Sequence, residues 1–143
     1  MTDSPDVAGM KAFNENIVEQ FRTNGGKVGE PFEGADMILL TTKGAKTGMP
    51  RLVPLVYLPI DGRILIVGSF GGAPVDPQWV RNIRVGSSVQ VEVGTESYDA
   101  VARELPGDER AGLWDKVVAV ATGFGDYQAN TDRVIPLFDV TRA

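Results

Sequence analysis

The chain has no cysteine and no histidine among its 143 residues. Without cysteine there is no disulfide, thiolate nucleophile or thiolate metal site, which fits a reducing cytosol. Without histidine there is no Ser-His-Asp triad, no imidazole acid or base, and none of the commonest transition-metal ligand. A metal would need oxygen ligands alone, and the Asp and Glu residues show no regular spacing for one. No stretch approaches the roughly 20 apolar residues of a membrane span. The acidic start MTDSPD lacks the cationic and apolar layout of a secretory signal. The net charge of −5 argues against a nucleic-acid footprint. The expectation is a cytoplasmic protein with no metal, no nucleic acid and no stable membrane insertion, whose hard chemistry, if it is an enzyme, comes from an organic cofactor.

With 43% hydrophobic residues the chain can bury a real core, and residues 1–143 read as one domain, of which 1–36 are a leading helix and a connecting segment. Charge is unevenly placed. Residues 37–91 hold six Lys or Arg and two Asp or Glu, a balance of +4 that leaves −9 on the rest. A cationic region inside an acidic protein suits a small anionic ligand. Its centre is TTKGAKTGMPR, residues 41–51, where Lys43, Lys46 and Arg51 surround Gly44 and Gly48 between two β-forming runs. Glycines that take positive φ can bare backbone N–H groups beside those cations, which is what a phosphate or carboxylate needs. An ordinary solvated hairpin loop is the plainer reading of the same residues.

Phe13, Ile17, Val18 and Phe21 recur at helical spacing over 9–24, and Gly25-Gly26 ends that helix. β-rich runs follow at 37–42, 52–58 and 63–69, with Asp61-Gly62 as a tight turn. Pro54 cannot donate to a ladder, so its strand must be at an edge, bulged or interrupted there. In FGGAPVDPQW, Asp76 reads as an N-cap and Pro77 as the first residue of a short helix over 77–85, whose N-terminus beside Gly71 and Gly72 is a second candidate anion site. Alternating runs at 88–93 and 97–105 read as half-buried strands. A helix over 108–121, carrying Leu113, Val117, Val118 and Val120, a polar loop over 123–133 and a strand over 134–141 complete the order. Six antiparallel strands with marginal helices suggest a mainly β, α+β fold, a closed or split β-barrel.

Taken together, LLTTKGAKTGMPRLVPLVYL (39–58), GSFGGAPVDPQWVRNI (68–83) and GDYQANTDRVIPLF (125–138) resemble the deazaflavin-dependent nitroreductase family over nearly the whole chain. The resemblance implies a six-stranded split β-barrel that binds coenzyme F420, a deazaflavin with a phosphodiester and an oligoglutamate tail. It implies hydride transfer from the reduced cofactor to a quinone, an enone or a nitroaromatic. Lys46, Thr47, Gly48, Pro50 and Arg51 resemble the region that contacts the tail. Pro54, Leu55, Val67, Gly68 and Ser69 match positions bordering the planar ring, and Gly71, Gly72, Ala73, Pro77, Gln78 and Trp79 match a further wall, with core packing the competing role for Trp79. Tyr127 and Ser69 match residues able to hydrogen-bond the acceptor, and so are the expected catalytic pair. Ala45 and Phe70 stand where some members are basic, and Val56, Ala121 and Phe124 where tyrosines can line the acceptor pocket. That departure implies an apolar acceptor pocket and favours quinones or enones over nitro compounds. Related barrels are often dimers, so a homodimer is an expectation. FMN binding on a related split barrel, and a non-catalytic deazaflavin or lipid carrier, are the alternatives.

Overall fold

Alternation of apolar side chains along the strands decides this fold, because one face of each strand fills a barrel and the other seats helices. The computed structural model describes residues 7–30 and 32–143; the acidic start MTDSPD and Pro31 of the connecting segment lie outside them. Strands β1 (Met37–Lys43), β2 (Pro50–Ile60), β3 (Arg63–Val67), β4 (Ser88–Val93), β5 (Glu96–Glu104) and β6 (Leu137–Arg142) close a barrel in the order β1-β2-β3-β6-β5-β4. Every pairing is antiparallel. Inside it, Ile38, Leu40, Ile66, Val89, Val91, Phe138 and Val140 meet Trp79, Val80 and Ile83 of helix α2 (Gln78–Val85), which plugs the interior.

The outward residues seat the remaining helices. Met37 and Leu39 pack on Ile17 and Phe21 of α1 (Val7–Thr23). Leu58, Leu65, Val67 and Leu137 pack on Val117 of α3 (Gly107–Val120). Among the described residues no helix is long and apolar enough to cross a membrane. Gly25 and Gly26 end α1 at φ 64° and 96°, and Asp61 and Gly62 turn β2 into β3 at φ 54° and 74°, as a two-residue hairpin requires.

Three expectations need correction. Residues 123–133 were expected as loop, yet Gly123–Ala129 is a helix, α4. Its two glycines and lack of an apolar stripe hide it, and it is held by packing on the 3-10 turn Phe70–Gly72. Pro77 is itself the N-cap of α2, without a side-chain cap, because Asp76 is engaged in ion pairs with Arg84 and Arg133. Val120 was assigned to the apolar face of α3 but is 64% exposed.

The barrel is not uniformly sealed. β2 pairs with β1 from Pro50 to Val56 but with β3 only from Tyr57 to Ile60. β3 then leaves β2 and stays with β6, Gly68 donating its N–H to the carbonyl of Pro136 at 2.9 Å. The Tyr57 amide bonds Asp36 on the β1 side, so alternation turns the backbone groups of residues 50, 52, 54 and 56 toward the gap. Pro54 thus loses no ladder bond, as an edge position allows.

Candidate functional site

The loop joining β1 to β2 lies at one end of this open edge. Gly48 takes φ 71°, the left-handed conformation expected of it. Gly44 does not take positive φ. Its role is close approach, since a Cβ there would lie 2.9 Å from the Thr47 hydroxyl oxygen and 3.5 Å from Arg51 Nε. Nor is the loop a bare nest of amides. Gly44 N–H donates to Met49 O, Gly48 N–H to Gly44 O, Met49 N–H to the Thr47 hydroxyl and Ala45 N–H to Asn82 Oδ1. Among the described residues the amides of Lys46 and Thr47 have no acceptor, and Lys43, Lys46 and Arg51 have no carboxylate within ion-pair distance. All three cations are exposed.

Asn82, which the sequence reading did not single out, sets the loop's position. It is 1% exposed, accepts from Ala45 N–H at 2.9 Å and from Gln78 Nε2 at 3.0 Å, and donates from Nδ2 to the Thr42 hydroxyl at 2.9 Å. One buried amide therefore ties α2, β1 and the cationic loop together. The four-residue spacing of Gln78 and Asn82 on a helix was readable; the partners 37 and 40 residues away were not.

After β3 has left β2 the chain continues as the segment 68–76. Gly68 is wedged between Pro136 and Val80, where a Cβ would come within 2.7 and 2.9 Å of their side chains. Ser69 is buried, and the turn that follows holds Phe70 at φ 47° and Gly72 at φ 80°. Gly72 abuts α4: a Cβ would lie 3.1 Å from the Tyr127 carbonyl oxygen. Tyr127 is 38% exposed and its ring meets Phe124 edge-on at 6.1 Å. The structure therefore brings the segment of Ser69, Gly71, Gly72 and Ala73 against Tyr127 at Gly72, while Pro50 and Pro54 lie on β2 beside the 46–51 loop. Val56, Ala121 and Phe124 all pack around the cluster under α3 and α4, which makes that flank apolar.

The remaining expected site residues lie on β2, at the end of β3 and at the start of α2. Trp79 is 5% exposed inside the barrel, edge-on to Phe138 at 5.3 Å, so core packing is its role here. Leu55 packs against the same interior cluster, Val67 against the cluster under α3, and Pro77 is buried while Gln78 is exposed. The N-terminus of α2 is partly used within the fold, Val80 N–H donating to Pro77 O. Surface depressions of about 540 and 530 Å³ open around Glu104 and Arg110 and around Arg63 and Tyr98, and neither includes a residue of the cationic loop or of 68–73. A ligand laid along a sheet edge needs a groove rather than a cavity.

The profile of the F420H(2)-dependent quinone reductase family matches residues 14–142. An F420H(2)-dependent quinone reductase of Mycobacterium tuberculosis is 36% identical over 126 residues, 85% of each chain. A solved F420-H2 dependent reductase superimposes with TM-score 0.66 at 39% identity, over 74% of this chain and 94% of that one. A structure described as a domain-swapped dimer gives TM-score 0.68 at 37% identity, over 96% and 100%.

Proposed function

This chain belongs to the F420H(2)-dependent quinone reductase family and is an oxidoreductase that takes coenzyme F420, and we propose that it binds that cofactor along the open edge of β2 and reduces a quinone held against α4. The FMN and carrier alternatives are set aside by that membership. The observation that carries the placement is a cluster of three cations without carboxylate partners among the described residues, at the end of an edge lacking its strand neighbour.

Lys46, Arg51 and the free amides of Lys46 and Thr47 suit the phosphodiester and carboxylates of the tail, and they hold the anion by charge-assisted hydrogen bonds. The edge of β2 offers the carbonyls of Leu52, Pro54 and Val56 and the amides of Leu52 and Val56 to a flat heterocycle, with Ser69 and Gly72 walling the far side. When bound, reduced F420 supplies the hydride. The chain's residues then have to align the acceptor, exclude water and stabilise charge that develops on a quinone oxygen. Tyr127 is the donor suited to that oxygen, by orientation and hydrogen bonding rather than as a strong acid. The flank of Val56, Ala121 and Phe124 accommodates the apolar ring of a quinone. A cytoplasmic location and a homodimer complete the reading, the latter supported by the domain-swapped relative.

Titration with F420, followed by the cofactor's own fluorescence, tests the anion site. Lys46→Ala and Arg51→Ala should each weaken binding about tenfold, a modest loss because both side chains are exposed and screened. Unchanged affinity in both would remove the anion-site assignment. Tyr127→Phe should lower quinone turnover several-fold at saturating F420H2 and leave the F420 dissociation constant nearly unchanged. Equal losses in both would place Tyr127 on the cofactor side instead.

A further inference from the structure

Arg133 follows α4 in the chain, and its side chain is 15% exposed. A guanidinium has five N–H donors in a fixed fork, and this one uses four of them on a single irregular segment. Nε donates to Ala73 O at 2.8 Å, Nη1 to Gly68 O at 3.1 Å and to Asp76 Oδ1 at 2.9 Å, and Nη2 to Ser69 O at 2.7 Å. Three carbonyls of a segment outside the strand ladders thus accept from one side chain, and irregular backbone packs into a fold only where its polar groups find such partners. The loop so held contains Phe70 at φ 47°, a conformation a bulky residue adopts only where its surroundings impose it.

The grip continues in both directions. Gln128, next to Tyr127, donates from Nε2 to the carbonyl of Arg133 at 2.8 Å, while its Oε1 accepts from Ile135 N–H at 2.9 Å and from Arg110 Nη2 at 3.0 Å. Asp76 bridges Arg133 to Arg84, and Arg84 in turn bonds both carboxylate oxygens of Glu104 on β5; the hydrogen bond to Glu104 raises the pKa of the Arg84 guanidinium above its ordinary value. The wall segment carrying Ser69 and the helix carrying Tyr127 are therefore joined through one residue and meet at Gly72.

We infer that Arg133 is a positioning residue for hydride transfer: its fork sets the spacing between the 68–76 wall and Tyr127, and with it the alignment of acceptor against cofactor. This rests on the groove assignment above. Lysine at 133 keeps the charge beside Asp76 but cannot span three carbonyls, so Arg133→Lys separates charge from geometry. In a preparation whose wild type binds F420 and reduces a quinone, Arg133→Lys should lower quinone kcat/KM at least about tenfold at a temperature where circular dichroism shows it folded. Adding Tyr127→Phe to it should cost less than about twofold more, because the alignment Tyr127 needs is already lost. Wild-type kcat/KM in Arg133→Lys, or losses that multiply fully in the double variant, would overturn the proposal. Failure of the wild type to bind F420 would overturn the groove reading instead. Amide exchange of the wild-type protein gives a test that does not depend on a variant folding. Gly72 N–H, bonded to Ser69 O, and Ala73 N–H, bonded to Phe70 O, should be protected well above the free amides of Lys46 and Thr47. Equal exchange at both places would overturn the idea of a held wall.

Discussion

Asn82→Leu should cost about 2–4 kcal/mol of stability and weaken F420 binding at least as much as removing either loop cation. Leucine fills nearly the same volume, so the loss comes from hydrogen bonding rather than from a void. Ala45 N–H, the Thr42 hydroxyl and Gln78 Nε2 each lose a partner at once, and Thr42 is itself only 2% exposed, where water cannot replace the bond cheaply. The binding loss has a different origin. The 44–49 turn is closed within itself, so the anchor at Ala45 decides where that turn, and the cations on it, stand relative to the barrel edge. Urea unfolding reads the first effect and F420 titration below the transition reads the second. A folded variant with unaltered F420 affinity would show that the placement of the turn is set elsewhere.

The second large effect is expected at the end of α1. Gly26 takes φ 96°, and a Cβ on it would stand 2.6 Å from Gly94 Cα and 3.0 Å from Gly94 N and O. Both obstacles are backbone, at the turn between β4 and β5, and neither can rotate aside as a side chain would. Gly26→Ala should therefore lower stability by about 2–4 kcal/mol, combining an unfavourable φ with a steric clash, and the midpoint of thermal unfolding by about 10 °C. Gly34 provides the control. It has φ 81° but open space within 4 Å, so Gly34→Ala isolates the conformational part at about 1 kcal/mol. Equal midpoints for the two variants would mean that the end of α1 moves off the β4–β5 turn at little cost.

The contrast between these two sites shows which parts of the molecule local sequence discloses. Strand alternation, the Asp61-Gly62 hairpin, the glycine stop after α1 and the edge position of Pro54 are all properties of residues and their immediate neighbours, and they were readable. The sign of charge in the 41–51 loop was readable too. What could not be read is long-range hydrogen bonding: nothing near Asn82 announces Ala45 and Thr42, and nothing near Arg133 announces carbonyls 60 to 65 residues earlier. α4 escaped for a related reason, since GFGDYQA becomes helical by packing on a turn formed from another part of the chain. Trp79 lay between two roles because an aromatic beside a glycine loop serves a cofactor or a core equally well until the direction of α2 is known. Gly44 was read as able to take positive φ, whereas the space it must leave for Thr47 and Arg51 appears only once the turn is closed.

The half of β2 without a β3 neighbour has one more consequence. An unpaired strand edge invites a strand from another molecule, and such pairing begins fibres and unwanted assemblies. Of the four residues whose backbone faces the gap, Pro50 and Pro54 have no N–H, so an incoming strand finds donors only at Leu52 and Val56. A flat small molecule can use that sparse pattern, but a continuous peptide ladder cannot form along it. The same two prolines therefore guard the edge against strand addition from a second molecule.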